Sequence, residues 1–179
     1  MGFGTWPLKG EECYNSVKTA IEEGFRHIDT AYYYMNEPEV GRAIKDCIES
    51  GIVTRKELCI QSKVANHHKM PGFPKKALEA TLEQLGLDYV DIYLIHCPWS
   101  VQPNDDVWSK KSCGRLAGPD GNWVMADIPP SQTWKELEEL VDQGKIISLG
   151  FGNFSQNLIQ DVLANCKHRY DSYCPITRL

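Results

Sequence analysis

The chain has 179 residues, 42% of them hydrophobic and 24% charged, which fits one globular domain over 1–179 with a sizeable core. Its formal net charge of −5, with Lys and Arg scattered along the chain, leaves no electrostatic footprint for nucleic acid or an anionic membrane. No apolar run approaches the roughly 20 residues of a membrane span and no signal core opens the chain. The seven cysteines lack CxxC spacing, so free thiols, no metal site and a cytoplasmic location are expected.

In chain order, residues 1–5 read as a short glycine-rich strand ending in Trp6-Pro7, whose two glycines allow close approach of backbone or ligand. Cys13, Val17, Ala20 and Ile21 share one helical face over 11–23, and Gly24 ends that helix. Arg26-His27-Ile28 forms a second strand, and the loop Asp29 to Tyr34 follows before Glu37 opens a helix through Val40, Ala43, Ile44 and Ile48. A third strand, 58–63, closes on Lys63 and runs into a polar loop, Asn66-His67-His68-Lys69, which reads as solvated. A helix over 74–85 stops at Gly86, and a nearly all-apolar strand, 91–95, ends in His96-Cys97-Pro98-Trp99.

Residues 99–130 are polar and rich in Pro, Gly, Asp and Lys, with a turn signal at Gly118-Pro119-Asp120-Gly121-Asn122. A loop longer than about 12–15 residues that starts at a strand's C-terminal end is expected to cover or line a binding site. Thr133-Trp134-Lys135-Glu136 has capping-box spacing ahead of a helix to Gly144. A fifth strand, 145–151, leads through Gly152-Asn153-Phe154 into a helix begun by Ser155. Residues 167–179 show no strand period and read as a divergent tail.

Asp29 and Lys63 are 34 residues apart, and Lys63 and His96 are 33 apart. A repeating βα unit of that size brings the C-terminal ends of parallel strands to one face of the sheet. Asp29, Tyr34, Lys63 and His96 are therefore expected to converge. For an isolated pair, Asp29 and Lys63 would read as a plain buried ion pair.

Gly24-Phe25-Arg26-His27-Ile28-Asp29-Thr30-Ala31, then Glu37 and Val40-Gly41, resembles the signature of the aldo-keto reductase family, and the spacings to Lys63 and His96 match it. The resemblance covers about residues 1–165. It implies an α/β fold of the (β/α)8 TIM-barrel type, incomplete here, that binds NADPH and reduces small aldehydes or ketones. It also implies a catalytic tetrad at Asp29, Tyr34, Lys63 and His96. Thr5, Trp6, Asp29 and Asn153 fall on the cofactor side, and His96, Trp99 and Tyr34 on the substrate side.

Such a reaction needs a proton donor and a second hydrogen-bond donor aimed at the developing alkoxide. Tyr34 would be the acid, Lys63 would favour its phenolate, Asp29 would hold Lys63, and His96 would orient the carbonyl. Tyr32 and Tyr33 read as pocket walls. Trp99 and the segment 108–123 are expected to form the substrate wall. Cys97, next to His96 on a strand, should face the other way. By the resemblance its position usually holds a pocket tryptophan, and Gly152 stands where serine is common.

A closed barrel takes about 250 residues, whereas five strands are evident here. Unclosed strand edges and inner faces make self-association an expectation. The alternative reading is a non-catalytic fragment or binding subunit that keeps the fold's front half.

Overall fold

The computed structural model describes residues 1–109, 114–164 and 166–168, together with the backbone of 172–174. Six parallel strands form one sheet: β1 (Gly2–Gly4), β2 (His27–Asp29), β3 (Cys59–Val64), β4 (Val90–Ile95), β7 (Ile146–Gly152) and β8 (Ser172–Cys174), hydrogen-bonded in that order. Between them lie α1 (Gly10–Glu22), α2 (Glu37–Glu49), α3 (Phe73–Leu85), α4 (Pro130–Asp142) and α5 (Gln156–Leu163). A two-stranded antiparallel ribbon, β5 (Ser100–Val101) and β6 (Met125–Ala126), interrupts the alternation. The architecture is a partial barrel, strand order following chain order.

Each helix forms because its apolar residues recur on one face. α1 buries Cys13, Val17, Ala20 and Ile21, α2 buries Val40, Ala43, Ile44 and Cys47, and α3 buries Ala77, Leu78, Leu82 and Leu85. These faces join Ile28, Ile60, Tyr93, Ile95, Leu149 and Phe151 of the strands in one continuous core. Gly41 sets the spacing of α2 and α3, because a Cβ there would lie 2.5 Å from the Leu85 carbonyl oxygen. The register pairs Asp29 with Gln61 and Lys63 with Leu94, so β2, β3 and β4 end side by side.

Three local expectations change. The segment 167–179 contributes a sixth strand, because Ser172–Cys174 pairs with Gly150–Gly152 through backbone bonds that need no side-chain period. Thr133 does not cap α4: the helix starts three residues earlier, with Pro129 before it and Pro130 in its first turn, and Thr133 is buried inside. The long segment after β4 is a folded lobe, tied by the β5–β6 pair and by bridges at Pro103–Arg115 and Ala117–Trp123. Cys113 and residues 110–113 of that segment lie outside the described residues, as do residues 175–179. No described helix is long and apolar enough to cross a membrane.

Candidate active site

Asp29 is the last residue of β2 and Lys63 the penultimate residue of β3, and the ladder between these strands brings the two side chains together. Lys63 Nζ donates to Asp29 Oδ1 at 2.5 Å, to the Thr30 carbonyl at 2.8 Å and to the Tyr34 hydroxyl at 3.1 Å. An ammonium has three protons, and all three are used, which offsets the desolvation of a side chain only 4% exposed. Gln61, two residues back on the same strand, adds a 2.5 Å bond from Nε2 to Asp29 Oδ1.

Tyr34 is carried by a single 3₁₀ turn, Tyr32–Tyr34, which Met35 closes in the left-handed region at φ 53°. The buried Asn36 fastens the turn to the β1–α1 connection by donating to the Thr5 and Leu8 carbonyls at 3.0 Å each. Lys9 Nζ donates to the Tyr34 carbonyl. His96, the residue after β4, presents its ring edge-on to Tyr34, with centroids 5.6 Å apart at 80°. The structure thus brings Asp29, Tyr34, Lys63 and His96 into one cluster.

Burial, with Lys63 and Lys69 nearby, pushes the His96 imidazole down to a pKa of about 3. The ring is neutral near neutrality and keeps one N–H to donate. Behind the cluster, burial lifts Glu37 to about 7 despite the 2.6 Å bond it accepts from Ser62 Oγ. The same effect lowers Lys69 to about 7; its Nζ donates to the Cys97 carbonyl and, at 2.9 Å, to that of Trp99.

A cavity of about 130 Å³ opens beside His96 and is walled by Tyr33, Asn66, His67, Cys97, Trp99, Arg115 and Trp123. Of the segment expected to wall a substrate site, Trp99 and Trp123 line this cavity. Trp108 does not: it stacks on His68 at 4.5 Å, away from the cavity. Tyr32 is also no part of that wall, being buried against His68 at 4.6 Å. Cys97 does line the cavity together with His96, because the chain leaves β4 at Ile95 and strand alternation no longer governs it. Its thiol, raised in pKa by burial, accepts a long contact from Asn153 Nδ2 at 3.6 Å.

The segment Asn66–His68 is not solvated. His67 and His68 are 1% and 0% exposed, and burial holds their pKa values near 3 and 4. The lobe covers them, a tertiary effect that local polarity does not announce.

Of the residues expected on the cofactor side, Trp6 is 57% exposed and leans on Tyr34 at 5.2 Å, while Thr5 is buried with its hydroxyl donating to Thr30 Oγ1 at 3.1 Å. Asn153, at φ 63°, donates Nδ2 to the His96 carbonyl at 2.7 Å, and its Oδ1 has no partner among the described residues. A Cβ on Gly152 would stand 2.7 Å from the His96 carbonyl oxygen, so this backbone accepts glycine and not serine. Sequence reasoning missed Gln61, Asn36 and Arg115. Gln61 was within reach, since it alternates in step with Lys63; the other two act across turns that the sequence does not position.

The Aldo/keto reductase family pattern matches residues 1–177, twelve residues further than the segment that carries the motif resemblance. An NADH-dependent D-xylose reductase from Candida parapsilosis is 40% identical over 93% of this chain and 51% of its own length. A glycerol 2-dehydrogenase (NADP(+)) from Saccharomyces cerevisiae is 41% identical over 92% of this chain and 51% of its own. The solved aldose reductase from Schistosoma japonicum superposes with a TM-score of 0.89 at 36% identity, over 96% of this chain and 55% of that one. The chain spans about half the length of these relatives. With the strand-end cluster, the parallel half-barrel and these matches in agreement, the chain belongs to the aldo/keto reductase family.

Proposed function

We propose that the chain carries the catalytic half of an NADPH-dependent reductase of small aldehydes and ketones, acting in the cytoplasm. The observation that supports this best is the Lys63 ammonium, which spends its protons on Asp29, the Thr30 carbonyl and the Tyr34 hydroxyl next to a cavity that His96 borders. A reduced nicotinamide, when bound, supplies the hydride. Tyr34 gives its proton to the carbonyl oxygen, and the phenolate that remains is stabilised by the ammonium 3.1 Å away. Neutral His96 donates a hydrogen bond to the same oxygen and sets the carbonyl's orientation. Asp29, braced by Gln61, keeps Lys63 in place.

The residues present fit the carboxamide end of such a cofactor. Asn153 keeps an open acceptor at Oδ1, Trp6 offers an exposed aromatic face beside Tyr34, and Thr5 fixes the backbone behind them. Relatives divide between NADH and NADPH dependence, and we assign NADPH. The test is a fluorescence titration of the 179-residue chain with each dinucleotide, followed by consumption of the bound cofactor on adding benzaldehyde. Binding with aldehyde-dependent oxidation is expected, stronger for NADPH. Binding without oxidation would make the chain a binding module, and absence of both would refute the reading.

A further inference from the structure

Among the described residues, the lobe over 99–126 places one formal cation, Arg115, in the cavity wall, and the mechanism above leaves it unused. Arg115 lies on the bridge to Pro103, and its Nη2 donates to the Tyr33 hydroxyl at 2.7 Å. Its guanidinium carbon sits 3.5 Å from the Trp123 ring centroid and 4.7 Å from that of Tyr33. The planar cation is therefore held in one orientation by two rings. Its Nε is buried without a partner, and the salt bridges among the described residues do not include it.

Among the described residues, the rest of the wall carries no counter-charge. Asn66, Cys97, Trp99 and Trp123 are uncharged, and burial keeps the imidazoles of His67 and His96 neutral. Stacking on Trp123 would suffice to fasten the lobe, but it does not account for a guanidinium set in a cavity wall that has no carboxylate among the described residues. An arginine has five N–H donors in a fixed fork, and its flat edge matches the two oxygens of a carboxylate. Tyr33 touches both ends of the arrangement, with its hydroxyl on Arg115 and its ring 6.2 Å from His96. The cavity between them, at about 130 Å³, is close to the size of an apolar cavity that takes a benzene ring, about 150 Å³.

We infer that, given the reductase reading, Arg115 is the specificity-determining residue and that the preferred substrates are small carbonyl compounds bearing a carboxylate about one ring away from the carbonyl. Calorimetric titration of the intact chain with benzoate and with benzamide, its neutral isostere, tests the anion site without requiring turnover. Benzoate should bind at least about tenfold more tightly, a preference in line with one charge-assisted pair. Arg115→Gln should abolish the preference, and Arg115→Lys, which keeps the charge, should retain part of it. Equal affinities in the unaltered chain, no benzoate binding, or a preference that survives Arg115→Gln would overturn the inference. Should Arg115→Gln lose its cooperative melt, the unaltered chain and Arg115→Lys decide. NADPH titration of the same samples separates the two readings: a benzoate preference without cofactor binding sinks the reductase, and cofactor binding without the preference sinks only the anion site.

Discussion

The strand-end cluster and the lobe over 99–126 are built by different means. Asp29, Lys63 and His96 sit at or next to the ends of three neighbouring parallel strands, where ladder register fixes their separations before any side chain is placed. The lobe is tied by a two-residue strand pair and two isolated bridges, and it presents Trp99 and Trp123 at 43% and 47% exposure. Positions set by a core tolerate little error and suit the transfer of a proton, whereas positions set by a loop can change without disturbing the reaction. Lys69 joins the two regions, pinning the backbone of Cys97 and Trp99 where the chain leaves the sheet.

The comparison is broken most severely at Tyr34. Tyr34→Phe removes the proposed acid and keeps the ring, so single-turnover NADPH oxidation should fall about 10³-fold with cofactor affinity unchanged. Asp29→Asn leaves a 4% exposed ammonium without its carboxylate; chemical denaturation should show a loss of about 3 kcal/mol, with a smaller loss of rate than at Tyr34.

The buried titratable groups predict acid sensitivity. His67, His68 and His96 have folded pKa values depressed to about 3 to 4, so the unfolded chain takes up three protons below its ordinary imidazole range that the folded chain refuses. Their contribution to stability is present above the unfolded pKa and lost as pH falls. Glu37, raised to about 7, works in the opposite sense and stabilises the fold as pH falls from 7 toward its unfolded value. The imidazoles outnumber the carboxyl, so denaturant midpoints should report a net loss of about 2 kcal/mol between roughly pH 7 and 5.5. A flat profile would contradict the burial of these groups.

Smaller effects sharpen the contrast. Gly152→Ser forces a Cβ to 2.7 Å from the His96 carbonyl and should cost about 1–2 kcal/mol in thermal stability, as overpacking does. Shortening residues 110–122 should alter the ratio of kcat/KM across a panel of aldehydes while leaving the rate on a small neutral aldehyde within about threefold. An unchanged ratio would make the lobe a bystander to selection.

What the sequence disclosed follows the same division. The cluster was legible because strand ends recur at nearly constant spacing and because Lys63 closes a largely apolar strand, where a charge has few explanations. The lobe was legible only as a long polar segment. His68 is covered by Trp108 stacking on it from about 40 residues away, and Arg115 meets Tyr33 from a strand bridge to Pro103; neither is a local property. β8 was missed for a related reason. A three-residue edge strand is specified by the backbone of the strand it joins, so its own side chains need carry no alternation.

The division of labour can be measured in one experiment: single-turnover NADPH oxidation by 4-carboxybenzaldehyde and by its carboxamide, in the unaltered chain, Tyr34→Phe and Arg115→Gln. The account predicts that Tyr34→Phe slows both aldehydes by the same factor of about 10³, and that Arg115→Gln brings the acid and the amide together while sparing the amide. Unaltered rates in Tyr34→Phe, or a Tyr34→Phe loss confined to one aldehyde, would contradict the claim that the strand ends carry the reaction.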